Sequence, residues 1–143
     1  MKIVIDVNVY ASSLMKPEGI PGLLLRQIFT NHKCDIIASI PILEELKQVL
    51  WYPKVRSRIL LGEEALRKWL EWLELVVDIV STKHLCHLPV IVTEDKDDDK
   101  YILAAMASNA KYIITGDQHL LKLHPYQHIE IIKPAEFYNF INE

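Results

Sequence analysis

Two short runs of apolar β-branched residues each lead to an aspartate, and this pairing limits the fold more than any other feature. Lys2–Asn8 reads KIVIDVN and Tyr112–Asp117 reads YIITGD. Short runs with no polar alternation suit strands buried on both faces, which parallel sheets provide. In such sheets ligands gather beyond the carboxyl ends of the strands, where Asp6 and Asp117 fall. The second run lies in the densest acid stretch, Glu94–Leu121, in which Asp95, Asp97, Asp98 and Asp99 lead into an alanine-rich segment with helical spacing. That stretch reads as loop, helix, buried strand, and a carboxylate just past the strand's end.

The rest of the chain supplies the alternation that a parallel sheet needs. Ile3–Ile5 is a strand, Tyr10–Leu14 a helical turn, Lys16–Gly19 a loop, and Pro21–Asn31 a helix with Leu24, Leu25, Ile28 and Phe29 at core spacing. Asp35–Ala38 is the second strand. Ser39 is placed to cap the helix Ile42–Leu50, whose apolar stripe sets Glu45 beside the buried face. Pro53 ends that helix, and Lys54–Leu73 reads as a helical pair split near Gly62. Leu75–Val80 is a third strand, and Ser81–Thr93 is loop with room for a short strand at Pro89–Val92. A helix at Asp99–Ala110, strands at Tyr112–Thr115 and Ile129–Ile132, and a helix at Pro134–Ile141 complete the chain. No repeat or linker interrupts it, so residues 1–143 are expected to form a single α/β domain with a mostly parallel sheet covered on both faces.

Composition excludes several classes. At 143 residues, half of them apolar, the chain can bury a core and is not a disordered one. A net charge of −3 argues against a broad electrostatic grip on nucleic acid, while leaving room for a local basic patch. Cys34 and Cys86 are too isolated for a disulfide framework and read as small core residues; His84, Cys86 and His87 fit no common zinc spacing. With no basic leader and no apolar run approaching the roughly 18 residues of a spanning helix, the expectation is a soluble cytoplasmic protein without membrane contact.

Four acids recur at element ends: Asp6 after the first strand, Glu45 early in the helix after the second, Asp99 at a helix start, and Asp117 after a later strand. Carboxylates brought together raise one another's pKa unless a cation neutralises them. An oxygen-only set favours Mg²⁺ or Mn²⁺ over Zn²⁺. Such an ion activates water and holds a phosphate oxygen, which is the chemistry of phosphodiester hydrolysis.

The segments IVIDVN, SIPILEEL and DDDKYILAAMASNAKYIITGDQHLL resemble the PIN-domain family, specifically its VapC-like branch of toxins from toxin–antitoxin pairs, and the resemblance spans nearly the whole chain. It implies a three-layer α/β/α sandwich and a metal-dependent endoribonuclease, using Mg²⁺ or Mn²⁺ to cut single-stranded or structured RNA. It further implies a homodimer silenced by a small antitoxin protein. Carried over, the family's pattern falls on Asp6 and Asn8, Glu45, Asp99 and Asp117, which implies the four acids as the metal-binding and catalytic set and Asn8 as a supporting residue; the spacing of 18 from Asp99 to Asp117 selects Asp99 among its neighbours. Val7 and His119 depart from the pattern, standing where many relatives have Thr and an acid.

Around this set, Asn8 is a candidate to orient Asp6, Ser39 and Thr115 carry hydroxyls able to hold a carboxylate or phosphate, and Asp98 is a possible accessory ligand. Asp95, Asp97 and Asp98 otherwise read as solvated or helix-capping. Lys54, Arg56, Arg58, Arg67 and Lys68, following Trp51 and Tyr52, are the candidates for an RNA backbone contact, against the plainer reading of a solvated helical face. Trp69 and Trp72 read as core or dimer-contact residues. The alternative function is a catalytically silent module that holds RNA or protein. A phosphatase with Asp6 as nucleophile is disfavoured, because Asn8 stands where such an enzyme wants a second aspartate.

Overall fold

The computed structural model describes residues 1–85, 87–92 and 95–143; the expectations placed on Cys86, Thr93 and Glu94 lie outside them. Five strands, β1 (Lys2–Ile5), β2 (Asp35–Ala38), β3 (Asp78–Ile79), β4 (Tyr112–Ile114) and β5 (Glu130–Ile132), pair in the order β3-β2-β1-β4-β5, all parallel. Ile3, Val4, Ile5, Ile113 and Ile114 are each at most 1 % exposed, so the central strands are covered on both faces, as their unbroken apolar runs require. The helices are α1 (Val7–Met15), α2 (Ile20–Asn31), α3 (Ile40–Trp51), α4 (Pro53–Arg56), α5 (Glu63–Val76), α6 (Asp99–Ser108), α7 (Gln118–Leu121) and α8 (Pro134–Ile141). Together they give the three-layer α/β/α arrangement. α6 packs on β1, β2 and β4 through a face that includes Ile102, Ala104 and Ala105, while α1 packs against α2 and α3.

Strand order positions the site. The chain winds from β1 through β2 to β3 on one side, then crosses over and continues through β4 to β5 on the other. The connections leaving β1 and β4 therefore diverge and open a crevice at their carboxyl ends. Register pairs Ile5 with Ile114, which sets Asp6 beside Thr115 as the strands end. On the other flank, continuing the pairing of Val4 with Ile37 brings Ser39 alongside Asp6.

Several boundaries differ from the sequence expectation for local reasons. α1 begins at Val7, immediately after β1, because the Asp6 side chain caps it by accepting the Asn8 N–H. α5 continues through Val76 on the stripe Leu66, Leu70 and Leu73, which leaves β3 only Asp78 and Ile79 at the exposed sheet edge. Pro89–Val92 forms no strand, and the short α7 follows directly on Asp117. Ser39 stands at the cap position of α3, yet its hydroxyl makes no capping bond. Gly22 in α2 lies against the loop from α1: a Cβ there would sit 2.2 Å from the Pro17 carbonyl oxygen, so even alanine would force the two apart. Trp69 packs inward, edge-on to Tyr10 at 6.2 Å, whereas Trp72 meets Phe29 at 4.7 Å and stays 41 % exposed. Among the described residues no helix is long and apolar enough to cross a membrane.

Candidate active site

Asp6 anchors the crevice. Its buried carboxylate accepts the Asn8 backbone N–H at 3.0 Å through Oδ1 and the Thr115 hydroxyl at 2.6 Å through Oδ2. The orienting group of Asn8 is thus its backbone, and its side chain is exposed. Thr115, fully buried, also accepts the Asp117 N–H at 3.0 Å, and Asp117 Oδ1 accepts the His119 N–H at 2.8 Å to cap α7. One hydroxyl therefore ties the ends of β1 and β4 together. Burial holds the Asp6 carboxyl above its ordinary range; hydrogen bonds from Thr115 and the Asn8 backbone, and the nearby Tyr101 hydroxyl, pull it back, and the Glu45 charge adds to the rise.

The two aspartates at the start of α6 do different things. Asp98, last in a 3₁₀ turn at Lys96–Asp98, is 8 % exposed, and its Oδ2 is buried without a hydrogen-bond partner among the described residues. Its carboxyl is pushed up to about 8, by burial first, then by hydrogen bonding and repulsion from Asp117, then by the charges of Asp95 and Asp6. Asp98 is neither solvated nor capping. Asp99, by contrast, accepts the Ile91 N–H at 3.0 Å through Oδ2 and the Val92 N–H at 2.7 Å through Oδ1, so both of its oxygens hold the preceding loop against α6. Successive helical residues point about 100° apart, which sends the neighbours to different surroundings. Asp95 is exposed and caps the 3₁₀ turn through the Asp97 N–H.

Glu45 reaches the same group from α3, with Glu44 exposed beside it. Glu45 Oε2 pairs with Lys100 Nζ at 2.5 Å and Oε1 accepts the Tyr101 hydroxyl at 2.5 Å. The Tyr101 oxygen in turn accepts the Val7 N–H at 3.3 Å; burial and the charges of Asp6 and Glu45 push its phenol pKa upward. Lys100 and Tyr101 were not singled out by sequence. The signal available was their position, one and two residues past the acid run in the first turn of α6.

The donor set suits a hard divalent cation. The converging groups are carboxylates, and a buried Asp98 oxygen lacks a partner while facing the charges of Asp117 and Asp6. Among the described residues, no group of three or more His, Cys, Asp or Glu side chains stands close enough together in this structure to hold a metal ion. Asp98 meets Asp117, while Asp6 connects to Asp117 through Thr115 and to Glu45 through Tyr101. Ser39 Oγ and His119 Nδ1 are also buried without partners.

The basic cluster is largely engaged within the chain. Arg56 and Arg67 lie over the Trp51 ring at 5.5 and 5.8 Å, Arg67 pairs with Glu63 at 2.6 Å, and Lys68 is 4.0 Å from Glu64. Lys54 and Arg58 are exposed.

Comparison with known proteins adds three kinds of likeness. A family profile described as PIN domain matches residues 2–119. An uncharacterized protein of Methanocaldococcus jannaschii is 34 % identical over 145 aligned residues, covering 96 % of this chain and 89 % of that protein. Among solved structures, VapBC2 from Rickettsia felis, crystallised bound to a DNA fragment from their promoter, superposes with a TM-score of 0.59 at 16 % identity, over 93 % of this chain and 98 % of that one. PAE2754 from Pyrobaculum aerophilum superposes with a TM-score of 0.61 at 15 % identity, over 99 % of this chain and 88 % of that one. The two structural likenesses are of fold.

Proposed function

The chain belongs to the PIN-domain family, and on that premise we propose that it is a Mg²⁺- or Mn²⁺-dependent endoribonuclease, acting in the cytoplasm as the toxin of a toxin–antitoxin pair. The observation that carries this reading is Asp98: a buried carboxyl with an unpartnered oxygen, crowded by Asp117 and Asp6. Such crowding destabilises the empty site and is relieved by a bound cation. Asp6, Asp98 and Asp117 are the residues that would hold the ion, with Glu45 at their side. Asp99, which the family spacing marks as a ligand, accepts the Ile91 and Val92 N–H groups here, and we assign the ligand role at the start of α6 to Asp98.

Held by those residues, a divalent ion would lower the pKa of a water and would offset charge on the phosphate. The protein's own contribution is orientation. Thr115 fixes the Asp6 carboxylate and the Asp117 backbone with one hydroxyl, so the acids from β1 and β4 keep a constant separation. Tyr101 fixes Glu45 to the start of α1. Exposed Lys54 and Arg58, with Arg67 and Lys68 on the exposed face of α5, are the members of the basic cluster available to an RNA backbone. A small antitoxin protein as partner, and a homodimer, follow from the VapC-like reading, which the fold likeness to VapBC2 supports.

The test is cleavage of single-stranded RNA by purified protein with Mn²⁺. Activity should vanish with EDTA and with Asp6→Asn. Cleavage that survives Asp6→Asn would refute the assignment, and RNA binding without metal-dependent cleavage would make the protein a silent binding module.

A further inference from the structure

Lys100 is the feature of the site that the ribonuclease reading leaves unused. Its ammonium pairs with one carboxylate, that of Glu45, the Lys100 side chain being 16 % exposed and that of Glu45 28 %. Glu45 links through Tyr101 to Asp6, and Asp6 links through Thr115 to Asp117. The acids alone would repel an arriving RNA phosphate. Lys100 supplies a positive charge on this network, and it remains reachable from solvent.

We propose that Lys100 is a substrate-binding residue that receives a phosphate of the RNA and rests on Glu45 until the RNA arrives; this rests on the ribonuclease reading above. A lysine ammonium binds carboxylate and phosphate by the same charge-assisted hydrogen bonds, so one can replace the other on a flexible four-carbon stem. Two consequences follow from the geometry. Glu45 competes with the substrate for Lys100, because the ion pair must open before the phosphate binds. Opening it also releases Glu45 Oε2, while Oε1 stays held by Tyr101, so the carboxylate turns free at one oxygen without leaving the site.

Competition makes the test unusual, because removing an acid of the site should improve binding. Affinity for a fluorescein-labelled single-stranded oligoribonucleotide is measured by anisotropy in EDTA, where cleavage is absent, across a salt series. Glu45→Gln should bind about threefold tighter than the parent, and Lys100→Met should bind weaker with a salt slope shallower by about 0.7, the value for one single-strand phosphate contact. The double variant Glu45→Gln/Lys100→Met should lose the gain, and Lys100→Arg should restore near-parent binding. Glu44→Gln, an exposed change of equal charge on the same helix, should leave affinity unchanged. The double variant leaves neither half of the ion pair buried alone, so it tests the contact even if Lys100→Met is poorly folded by circular dichroism. Equal affinities and slopes with and without Lys100, or a gain from Glu45→Gln that persists in the double variant or is matched by Glu44→Gln, would overturn the role of Lys100. If the parent protein cuts RNA while these outcomes hold, only this assignment falls. A parent that neither binds nor cuts RNA refutes the ribonuclease reading with it.

Discussion

Replacing Asp98 with asparagine should make the metal-free protein more stable at pH 8, although buried polar substitutions usually destabilise. The Asp98 carboxyl moves from an ordinary 3.8 up to about 8 on folding. Between those values the folded state keeps a proton that the unfolded chain has released, so stability is highest below the lower value and falls as pH rises toward the upper one. The slope is ~1.4 kcal/mol per pH unit for each such proton. The full gap is a ceiling, since water at the crevice screens the charge, leaving about 1–2 kcal/mol. Asparagine behaves as a permanently neutral Asp98 whose amide can donate to Asp117. Thermal melts in EDTA from pH 4 to pH 9 should show Asp98→Asn converging with the parent at the acid end and lying roughly 3–6 °C above it at pH 8. Asp6, whose carboxyl is raised with the same sign, leaves a residual slope in both proteins. Mn²⁺ at a hundred times its Kd should add about 2.7 kcal/mol to the parent and far less to the variant. Parallel melting curves across pH, or a variant less stable than the parent at pH 8 in EDTA, would refute the reasoning.

Three further substitutions separate the roles of neighbouring groups. Thr115→Val leaves an Asp6 oxygen and the Asp117 N–H without their shared partner, and should cost about 1–3 kcal/mol in urea denaturation together with most RNA cleavage. Asp99→Ala should speed hydrogen exchange at the Ile91 and Val92 amides while leaving the calorimetric Kd for Mn²⁺ within about threefold, a spread below 1 kcal/mol; an abolished Mn²⁺ site would return Asp99 to the ligand set. Ser39→Ala removes a buried hydroxyl that has no partner, so its unfolding free energy should match or slightly exceed the parent's, and a loss above about 1 kcal/mol would show an unseen bond.

The central strands β1, β2 and β4 were legible because they are continuous β-branched runs, and no alternation leaves their two-sided burial in question. Helix limits were less so. α5 passes Leu73 because nothing breaks its period until Val77, and a strand read at Leu75–Val80 competes for the same residues. The acids after β1 and β4 could be found because strand ends are fixed by pattern. Asp98 and Asp99 could not be separated, since adjacent residues in a helix share every sequence signal and differ only in direction. The ties of Glu45 to Lys100 and Tyr101 span 55 and 56 positions, so they depend on how α3 and α6 pack rather than on local spacing.

The central claim is that the carboxylates of the crevice hold a divalent ion through Asp98. Anomalous diffraction from crystals soaked in Mn²⁺ tests it most directly. A peak should appear at coordination distance, about 2.2 Å, from Asp98 Oδ2, shared with Asp6 or Asp117. A peak bound by Asp99 instead, or carboxylates that stay free at saturating Mn²⁺, would contradict it.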